Sequence, residues 1–293
     1  MTFERTFTAL ITPFHEDGSL DLRSLAELVE WQIDSGIEGL IPCGSTGESA
    51  TLTPDEHVQV VRHVVEVAGG RVPVVAGTGS NSTREAIELT SHARSAGADG
   101  ALLISPYYNK PTQEGIFQHF RTIAESVGLP MIIYNVPGRT ASCIEPQTTA
   151  RLSRVPGIVG LKECGRDLGK TAETIAQSAQ TFAVLSGDDD STLALLAIGA
   201  RGSISTIANV APAETSALAR AFFSGDLEGA RKLHYALLPI MKALFVESNP
   251  IPVKAALHML GRIPHSTLRL PLTELQKSNR DTVEAALAAL RSR

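Results

Sequence analysis

The stretch Ile158-Val159-Gly160-Leu161-Lys162 is apolar and of strand length, but it ends in a lysine. A buried strand does not normally finish in a cation, because burial of an unpartnered charge is costly. A lysine held at a strand end among polar groups is typical of carbonyl chemistry through a Schiff base. The alternative is a lysine whose side chain leaves the strand end and extends into water.

The same pattern recurs along the chain, where short apolar segments alternate with amphipathic stretches. Strands are predicted over Phe7 to Ile11, Gly39 to Pro42, Val72 to Ala76, Ala101 to Ser105, Met131 to Asn135, Ile158 to Lys162, Phe182 to Ser186 and Gly202 to Thr206. Helix signals lie between them. Thr53-Pro54-Asp55-Glu56, for example, supplies an N-cap, a proline in the first turn and two acidic residues.

Strict alternation of strands and helices predicts a parallel α/β sheet, and eight such units are the number that closes a (β/α)8 TIM barrel. A doubly wound open sheet is the alternative, but Thr12-Pro13-Phe14 after the first strand lacks the glycine-rich turn common in that fold. No further strand is predicted after Val210. We therefore expect a barrel catalytic domain over residues 1–224 and a C-terminal extension of about three helices over residues 225–293.

The composition is that of an ordinary globular protein, with 293 residues, 43% hydrophobic and 19% charged. A net charge of −5 argues against nucleic acid as a partner. The cysteines, Cys43, Cys143 and Cys164, are too scattered for a disulfide framework or a zinc site. The chain has no apolar run of bilayer length and no pattern typical of a secretory signal, so we expect no membrane association and a cytoplasmic location.

Polar side chains follow the predicted strands at the end where a barrel carries its catalytic groups. Ser45 and Thr46 follow the second strand, Tyr108 the fourth, and Tyr134 and Arg139 lie at and after the end of the fifth. Hydroxyls pass protons, and a guanidinium clamps a carboxylate. Taken singly, each has a plainer explanation as a helix cap, a wall tyrosine or a surface arginine.

Lys162 and Gly160 should share one face of their strand, and Glu163 should point away. Gly160 is expected to leave space beneath the lysine, and Glu163 is poorly placed to neutralise it. A free lysine has a pKa of about 10.4, so a pKa lowered by about 3 units costs about 4 kcal/mol. Such a cost favours a functional lysine over an accidental one.

Two polar loops have less specific interpretations. Gly44 and Gly47 flank Ser45-Thr46 and allow main-chain N–H groups to turn inward as a nest for a carboxylate, although an ordinary capping loop is the alternative. We assign Asp188-Asp189-Asp190 to the start of a helix, where acids complement the helix dipole. No second carboxylate or histidine cluster accompanies them, so no metal site is predicted.

Together these motifs resemble the 4-hydroxy-tetrahydrodipicolinate synthase family of pyruvate-dependent class I aldolases, which is related to N-acetylneuraminate lyase. The resemblance covers nearly the whole chain. It is carried, in the family's order and spacing, by Gly44 to Ser49, Ser105 to Pro111, Tyr134 to Thr140 and Phe245 to Lys254. It implies a lyase that joins pyruvate to L-aspartate-4-semialdehyde in lysine and diaminopimelate biosynthesis, without a metal or organic cofactor.

The resemblance implies catalytic roles for four residues. Lys162 would form the Schiff base with pyruvate, and Tyr134 would donate and accept protons beside it. Ser45 would link Tyr134 to Tyr108 in a proton relay, with Tyr108 reaching in from a neighbouring subunit. Most synthases carry threonine where this chain has Ser45, but serine keeps the hydroxyl that a relay needs.

The resemblance also implies substrate-binding roles. Thr46 would bind the pyruvate carboxylate, and Arg139 would hold the carboxylate of the semialdehyde. Gly187 and Ile204 would position substrate through their main chains. The family is usually a tetramer built from tight dimers, so a homotetramer is expected.

Regulation by lysine, the pathway end product, is a further implication. Many members of the family are inhibited by lysine at a pocket in the dimer interface. The matching positions are Ser49, Ala50, His57, Asn81, Glu85 and Tyr107. Pro54 stands where some regulated relatives carry a histidine, so the pocket is not fully matched.

Two other functions stay open at this point. One is another pyruvate-dependent aldolase or lyase, acting on N-acetylneuraminate or a keto-deoxy-sugar acid. Arg139 argues against it, because a neutral polyol tail needs no cation there. The other is a non-catalytic barrel that only binds a keto acid. Lys162 argues against it, because a protein that only binds has no use for a desolvated amine.

Overall fold

The structure, a computed structural model, describes residues 3–291. The strands are β1 Arg5–Ala9, β2 Gly39–Ile41, β3 Val75–Gly77, β4 Gly100–Ile104, β5 Met131–Asn135, β6 Ile158–Glu163, β7 Ala183–Ser186 and β8 Gly202–Ser205. Eight strands form one parallel sheet in the order β2-β1-β8-β7-β6-β5-β4-β3. A parallel bridge between Leu40 and Val74 brings its two ends together. The predicted (β/α)8 barrel is confirmed.

Helices surround the strands and continue beyond them. They are α1 Leu22–Asp34, α2 Pro54–Ala68, α3 Thr83–Ser95, α4 Gln113–Val127, α5 Pro137–Thr140, α6 Pro146–Leu152, α7 Leu168–Gln177, α8 Thr192–Ala197, α9 Pro212–Phe223, α10 Leu227–Ala243, α11 Ile251–Met259 and α12 Lys277–Arg291. The start of α2 carries the predicted cap, since Thr53 and Glu56 each accept the other's main-chain N–H. Within residues 3–291, no helix combines the length and apolar character needed to cross a bilayer.

Two strands, β1 and β3, differ from the sequence prediction by more than one residue at an end, for local reasons. β1 ends before Ile11 because the N–H of Ile11 donates to the Asn209 side chain, 3.2 Å away, instead of to a strand. β3 begins after Pro73, which has no N–H for a strand ladder. The next N–H, that of Val74, donates to the Asp99 carboxylate at 2.9 Å.

Three helices, α10 to α12, follow the eighth barrel helix α9, as predicted. They share one hydrophobic cluster with the barrel, in which Ile11 and Leu28 pack together with Leu237, Val253 and Leu287. The extension therefore completes the apolar core on that side of the barrel. The domain division at residue 224 stays a prediction.

A buried ion pair fastens the extension to the loop after β2. Lys254 of α11 donates to Glu48 at 2.6 Å, and both side chains are 0% exposed. The second oxygen of Glu48 accepts the N–H of Arg269 at 3.1 Å. Burial lowers the pKa of Lys254 to about 8, although the Glu48 carboxylate opposes that shift. Because Glu48 lies in the turn that contains Ser45-Thr46, the extension holds this turn in place.

Removal of one partner should show how much the Lys254–Glu48 pair affects the free energy of unfolding. Lys254→Met leaves the Glu48 carboxylate buried and unpaired, so the free energy of unfolding should fall by about 3–5 kcal/mol. Urea denaturation measures the change. Lys232→Met is the matched control, because Lys232 pairs with Glu228 in the same extension with 75% of its side chain exposed. The control should lose less than about 1 kcal/mol. Equal losses would show that the buried pair has no special role.

Candidate active site

A cavity of about 380 Å³ opens at the carboxyl ends of the strands. Six of the eight predicted catalytic and substrate-binding residues line it together, namely Ser45, Thr46, Tyr134, Arg139, Lys162 and Gly187. They come from the ends of β2, β5, β6 and β7 and from the loops after them. A cavity of this size suits a small molecule, and its position is the catalytic end of a (β/α)8 barrel.

The Lys162 amine lies deep in this cavity without an anionic partner. The residue is 6% exposed, and its Nζ lies 4.3 Å from the centre of the Tyr134 ring. No carboxylate within residues 3–291 forms an ion pair with it. Burial lowers the pKa of Lys162, with the Cys164, Asp188 and Asp189 side chains opposing the shift. A lowered pKa gives the neutral, nucleophilic amine that imine formation needs.

Glu163, the nearest acid in sequence, faces the other side of β6, as its position in the strand predicts. Asn135 donates to both its carboxylate oxygens, at 3.0 and 3.1 Å. Burial raises the pKa of Glu163 to about 7. This carboxyl is therefore bound outside the cavity and does not neutralise Lys162.

The space around Lys162 comes from Gly187, so the role expected for Gly160 was wrong. A Cβ on Gly187 would lie 2.8 Å from Cε of Lys162 and would overlap the sulfur of Cys164. A Cβ on Gly160 would instead meet the main-chain oxygen of Ala183 at 2.7 Å. Gly160 therefore serves the close pairing of β6 with β7, and Gly187 makes room for the lysine.

Tyr134 supplies a protonated phenol beside the lysine. Burial raises the pKa of Tyr134 well above its ordinary value, so the group is a proton donor at neutral pH. The thiol of Cys164 lies 3.9 Å from the Tyr134 hydroxyl and lines the same cavity. Sequence reasoning missed Cys164 as a wall residue, although its spacing of two from Lys162 in an extended segment was the available signal.

The turn after β2 offers two unused N–H donors. The N–H groups of Gly47 and Ser49 donate to the Gly44 oxygen, at 3.0 and 3.4 Å, and close the turn. The N–H groups of Ser45 and Thr46 donate to no acceptor within residues 3–291. These two N–H groups are available for a carboxylate, which agrees with the nest suggested by the flanking glycines.

Asn249, from the loop between α10 and α11, is a site residue to which the sequence assigned no role. It lines the cavity, and its amide donates to the Thr46 hydroxyl at 2.8 Å. Its main-chain oxygen accepts from Arg139 at 3.2 Å. The extension thus contacts both residues that the resemblance associates with substrate carboxylates.

The other two predicted catalytic and substrate-binding residues lie outside the cavity wall. Ile204 is fully buried, and its side chain packs in the cluster at the centre of the barrel. Tyr108 projects outward with 88% of its surface exposed, and its φ of 70° is in the left-handed region. Left-handed backbone in a non-glycine residue is strained and concentrates at functional sites.

The residues predicted to bind lysine lie near the ends of β2, β3 and β4. Asn81 donates to the main-chain oxygen of Tyr107 at 3.1 Å. Glu85, in the first turn of α3, accepts from the hydroxyl of Ser80. These contacts bring Asn81 and Tyr107 together at the outer side of the barrel mouth.

The other members of this set, Ser49, Ala50 and His57, lie after β2, in the turn that follows Ser45-Thr46 and in α2. Ser49 lines the catalytic cavity, and Ala50 is exposed beside it. His57 is buried, and its Nε2 lies 2.7 Å from the Gly77 oxygen, so Nε2 carries the proton. Burial lowers the pKa of His57, which leaves a neutral ring with an unpartnered Nδ1 acceptor.

The acidic trio lies at the start of the helical segment that leads into α8. Asp189 is 5% exposed and accepts the N–H groups of Thr206 and Ile207, at 3.1 and 3.0 Å. Asp188 lies 3.4 Å from the Arg166 guanidinium. Asp189 and Asp190 lie in the first turn of a 3₁₀ segment, Asp189–Ser191, that runs directly into α8, so the helix-start assignment is confirmed. In addition, Asp188 and Asp189 bind the loops after β6 and β8. In the part of the chain that the structure describes, no three His, Cys, Asp or Glu side chains are grouped to hold a metal.

A desolvated lysine at a barrel strand end, with a phenol beside it and free N–H groups for a carboxylate, defines the site of a lysine-dependent, class I aldolase-type enzyme. The family model described as the dihydrodipicolinate synthetase family matches residues 2–290. The chain belongs to this family.

Individual relatives agree over the full length. The chain is 54% identical over 290 residues to the 4-hydroxy-tetrahydrodipicolinate synthase of Nitratidesulfovibrio vulgaris, with 99% of each chain covered. The Acinetobacter baumannii dihydrodipicolinate synthase, solved with pyruvate, is 45% identical with a TM-score of 0.97 and 99% of each chain covered. The Cyanidioschyzon merolae enzyme, solved with lysine bound, is 40% identical with a TM-score of 0.96, covering 99% of this chain and 98% of the other.

Proposed function

We propose that this protein condenses pyruvate with L-aspartate-4-semialdehyde to form 4-hydroxy-tetrahydrodipicolinate, in lysine and diaminopimelate biosynthesis. The buried, unpaired Lys162 amine is the observation that carries the proposal, because only a reaction through a neutral amine explains its desolvation. Relatives that are about half identical over the full chain are named for this activity. We further propose that the reaction takes place in the cytoplasm.

The first half of the reaction makes an enamine from pyruvate. Neutral Lys162 attacks the ketone carbon, and Tyr134 supplies the proton with which the hydroxyl leaves as water. The protonated imine withdraws electrons, so a methyl proton passes to the phenolate that Tyr134 became in the dehydration step, and an enamine forms. The pyruvate carboxylate would accept from the free N–H groups of Ser45 and Thr46 throughout.

The second half joins the two substrates. The enamine carbon forms a bond to the aldehyde carbon, whose oxygen takes up a proton. The amine of the semialdehyde then attacks the imine carbon, closes the ring and releases Lys162. Arg139 would hold the carboxylate of this substrate, and its cation favours the semialdehyde over the polyol substrates of related lyases.

A second copy of the chain would complete the proton relay. Tyr108 is exposed and strained, so its hydroxyl is free to enter the site of a neighbouring subunit beside Ser45. Gly187 and Ile204 would contact substrate through their main chains. We propose a homo-oligomer, a tetramer made of two dimers, in which the dimer contributes Tyr108.

Borohydride trapping tests the covalent step. The protein is incubated with pyruvate, reduced and digested, and mass spectrometry should find the adduct on Lys162. Lys162→Arg should form no adduct and lose at least about a thousandfold in kcat, because a guanidinium stays protonated. Lys232→Arg, an exposed lysine replaced in the same way, should behave like the unchanged protein. An adduct on another lysine, or none, would contradict the proposed mechanism.

Lysine is proposed as a feedback inhibitor at Ser49, Ala50, His57, Asn81, Glu85 and Tyr107. Glu85 is exposed and supplies a carboxylate for an ammonium group, and Nδ1 of His57, buried and without a partner within residues 3–291, is an acceptor that a ligand could use only after a local rearrangement. Tyr107 adjoins Tyr108, so a ligand there would disturb the proposed relay directly. The relative from Cyanidioschyzon merolae was solved with lysine bound, which supports this proposal.

Initial rates measured over a series of lysine concentrations test the regulation. Lysine should lower the rate of the unchanged protein, and Glu85→Ala should weaken the inhibition about tenfold or more without abolishing activity, because one ammonium partner is lost. Glu88→Ala is the control, since Glu88 is another exposed acid of α3. Rates that do not respond to millimolar lysine would rule out the regulation.

A further inference from the structure

We propose that Asn249 is a positioning residue, whose side chain directs the Thr46 hydroxyl towards the pyruvate carboxylate. The inference rests on the proposed function and adds to it a residue outside the barrel strands. Asn249 belongs to the C-terminal extension, where it lines the cavity although only 7% of its surface is exposed.

The loop that carries Asn249 is held on both sides. On one side, the Glu247 carboxylate accepts from the N–H of Gln276 at 2.9 Å and from the Asn279 amide at 2.8 Å. On the other, Lys254 forms the buried pair with Glu48. An amide on such a fixed loop has little freedom, so it is able to orient a partner.

In the hydrogen bond between Asn249 and Thr46, Thr46 is the acceptor, and this determines where the Thr46 hydroxyl proton can go. Nδ2 of Asn249 donates to Oγ1 of Thr46 at 2.8 Å. A hydroxyl has a single proton, and Thr46 does not spend it on Asn249 when it accepts this bond. The proton is therefore left for an acceptor in the cavity, such as the carboxylate of a substrate. With the amide reversed, Thr46 would donate to Asn249 and have no proton for substrate.

The side-chain amide of Asn249 has an energetic cost for the folded protein. Oδ1 of Asn249 is buried and has no hydrogen-bond partner within residues 3–291. A buried polar atom without a partner destabilises a fold, and such atoms in native proteins call for a functional explanation. Orientation of Thr46 provides that explanation, since an apolar side chain at residue 249 would avoid the unpaired oxygen.

Asn249 also contacts the second predicted carboxylate site, but through its main chain. Its carbonyl oxygen accepts from Nη2 of Arg139 at 3.2 Å. Substitution of the side chain keeps this carbonyl. Side-chain variants should therefore disturb pyruvate binding and leave semialdehyde binding nearly unchanged, a separation that general damage to the loop would not produce.

The test measures imine trapping as a function of pyruvate concentration, together with steady-state KM values for both substrates. Asn249→Ala should raise the KM for pyruvate about tenfold and change the KM for the semialdehyde less than about twofold. Asn249→Asp should be worse for pyruvate than Asn249→Ala, because a carboxylate accepts the Thr46 proton and repels the substrate anion. Ser248→Ala, at the exposed neighbouring position, is the control.

A double variant separates positioning from structural damage. Thr46→Val removes the hydroxyl that Asn249 is proposed to direct. If the proposal holds, adding Asn249→Ala to Thr46→Val causes little further rise in the KM for pyruvate. Full additivity, or an Asn249→Asp variant that binds pyruvate as the unchanged protein does, would overturn the role of Asn249. A protein that forms no imine at all would instead contradict the proposed function.

Discussion

The burial of one amine without an anionic partner is the constraint on which the rest of the site depends. Lys162 lies one residue before the end of β6 and is 6% exposed, and the nearby acids Glu163, Asp188 and Asp189 each have another partner. Glu163 binds Asn135 on the far side of β6, and Asp189 accepts two main-chain N–H groups of the loop after β8. Desolvation therefore prevails over attraction, and the amine is biased towards its neutral form.

The barrel and the extension supply different parts of the site. Lys162 lies in β6 and Tyr134 in β5, so both residues that we propose for the covalent chemistry are part of the barrel sheet. The extension fixes the turn after β2 through the Lys254–Glu48 pair, and Asn249 adds a direct contact to Thr46. The proposed substrate site is thus formed by both parts, which are connected by a shared hydrophobic cluster and a buried ion pair.

The parts of the site that depend on local patterns could be predicted from the sequence. Strands follow from hydrophobic periodicity, so the sequence predicts Lys162 and Tyr134 at or next to the ends of β6 and β5, and the structure has each one residue before the strand end. Contacts between distant segments have no local signal. Glu48 and Lys254 lie 206 residues apart, and no local sequence pattern in either segment predicts that the two side chains form an ion pair. The role expected for Gly160 was wrong for the same reason, because the atoms that a Cβ on Gly160 or Gly187 would meet come from neighbouring strands or their ends.

The titration of Lys162 in the folded protein tests the central claim most directly. The protein is acetylated with a limiting amount of acetic anhydride across a pH series, and mass spectrometry reports the reactivity of each lysine. Lys232, with 75% of its side chain exposed, serves as the internal reference. We predict that Lys162 reaches half of its maximal reactivity at a clearly lower pH than Lys232. A midpoint at or above that of Lys232 would contradict the claim that burial holds this amine ready to react.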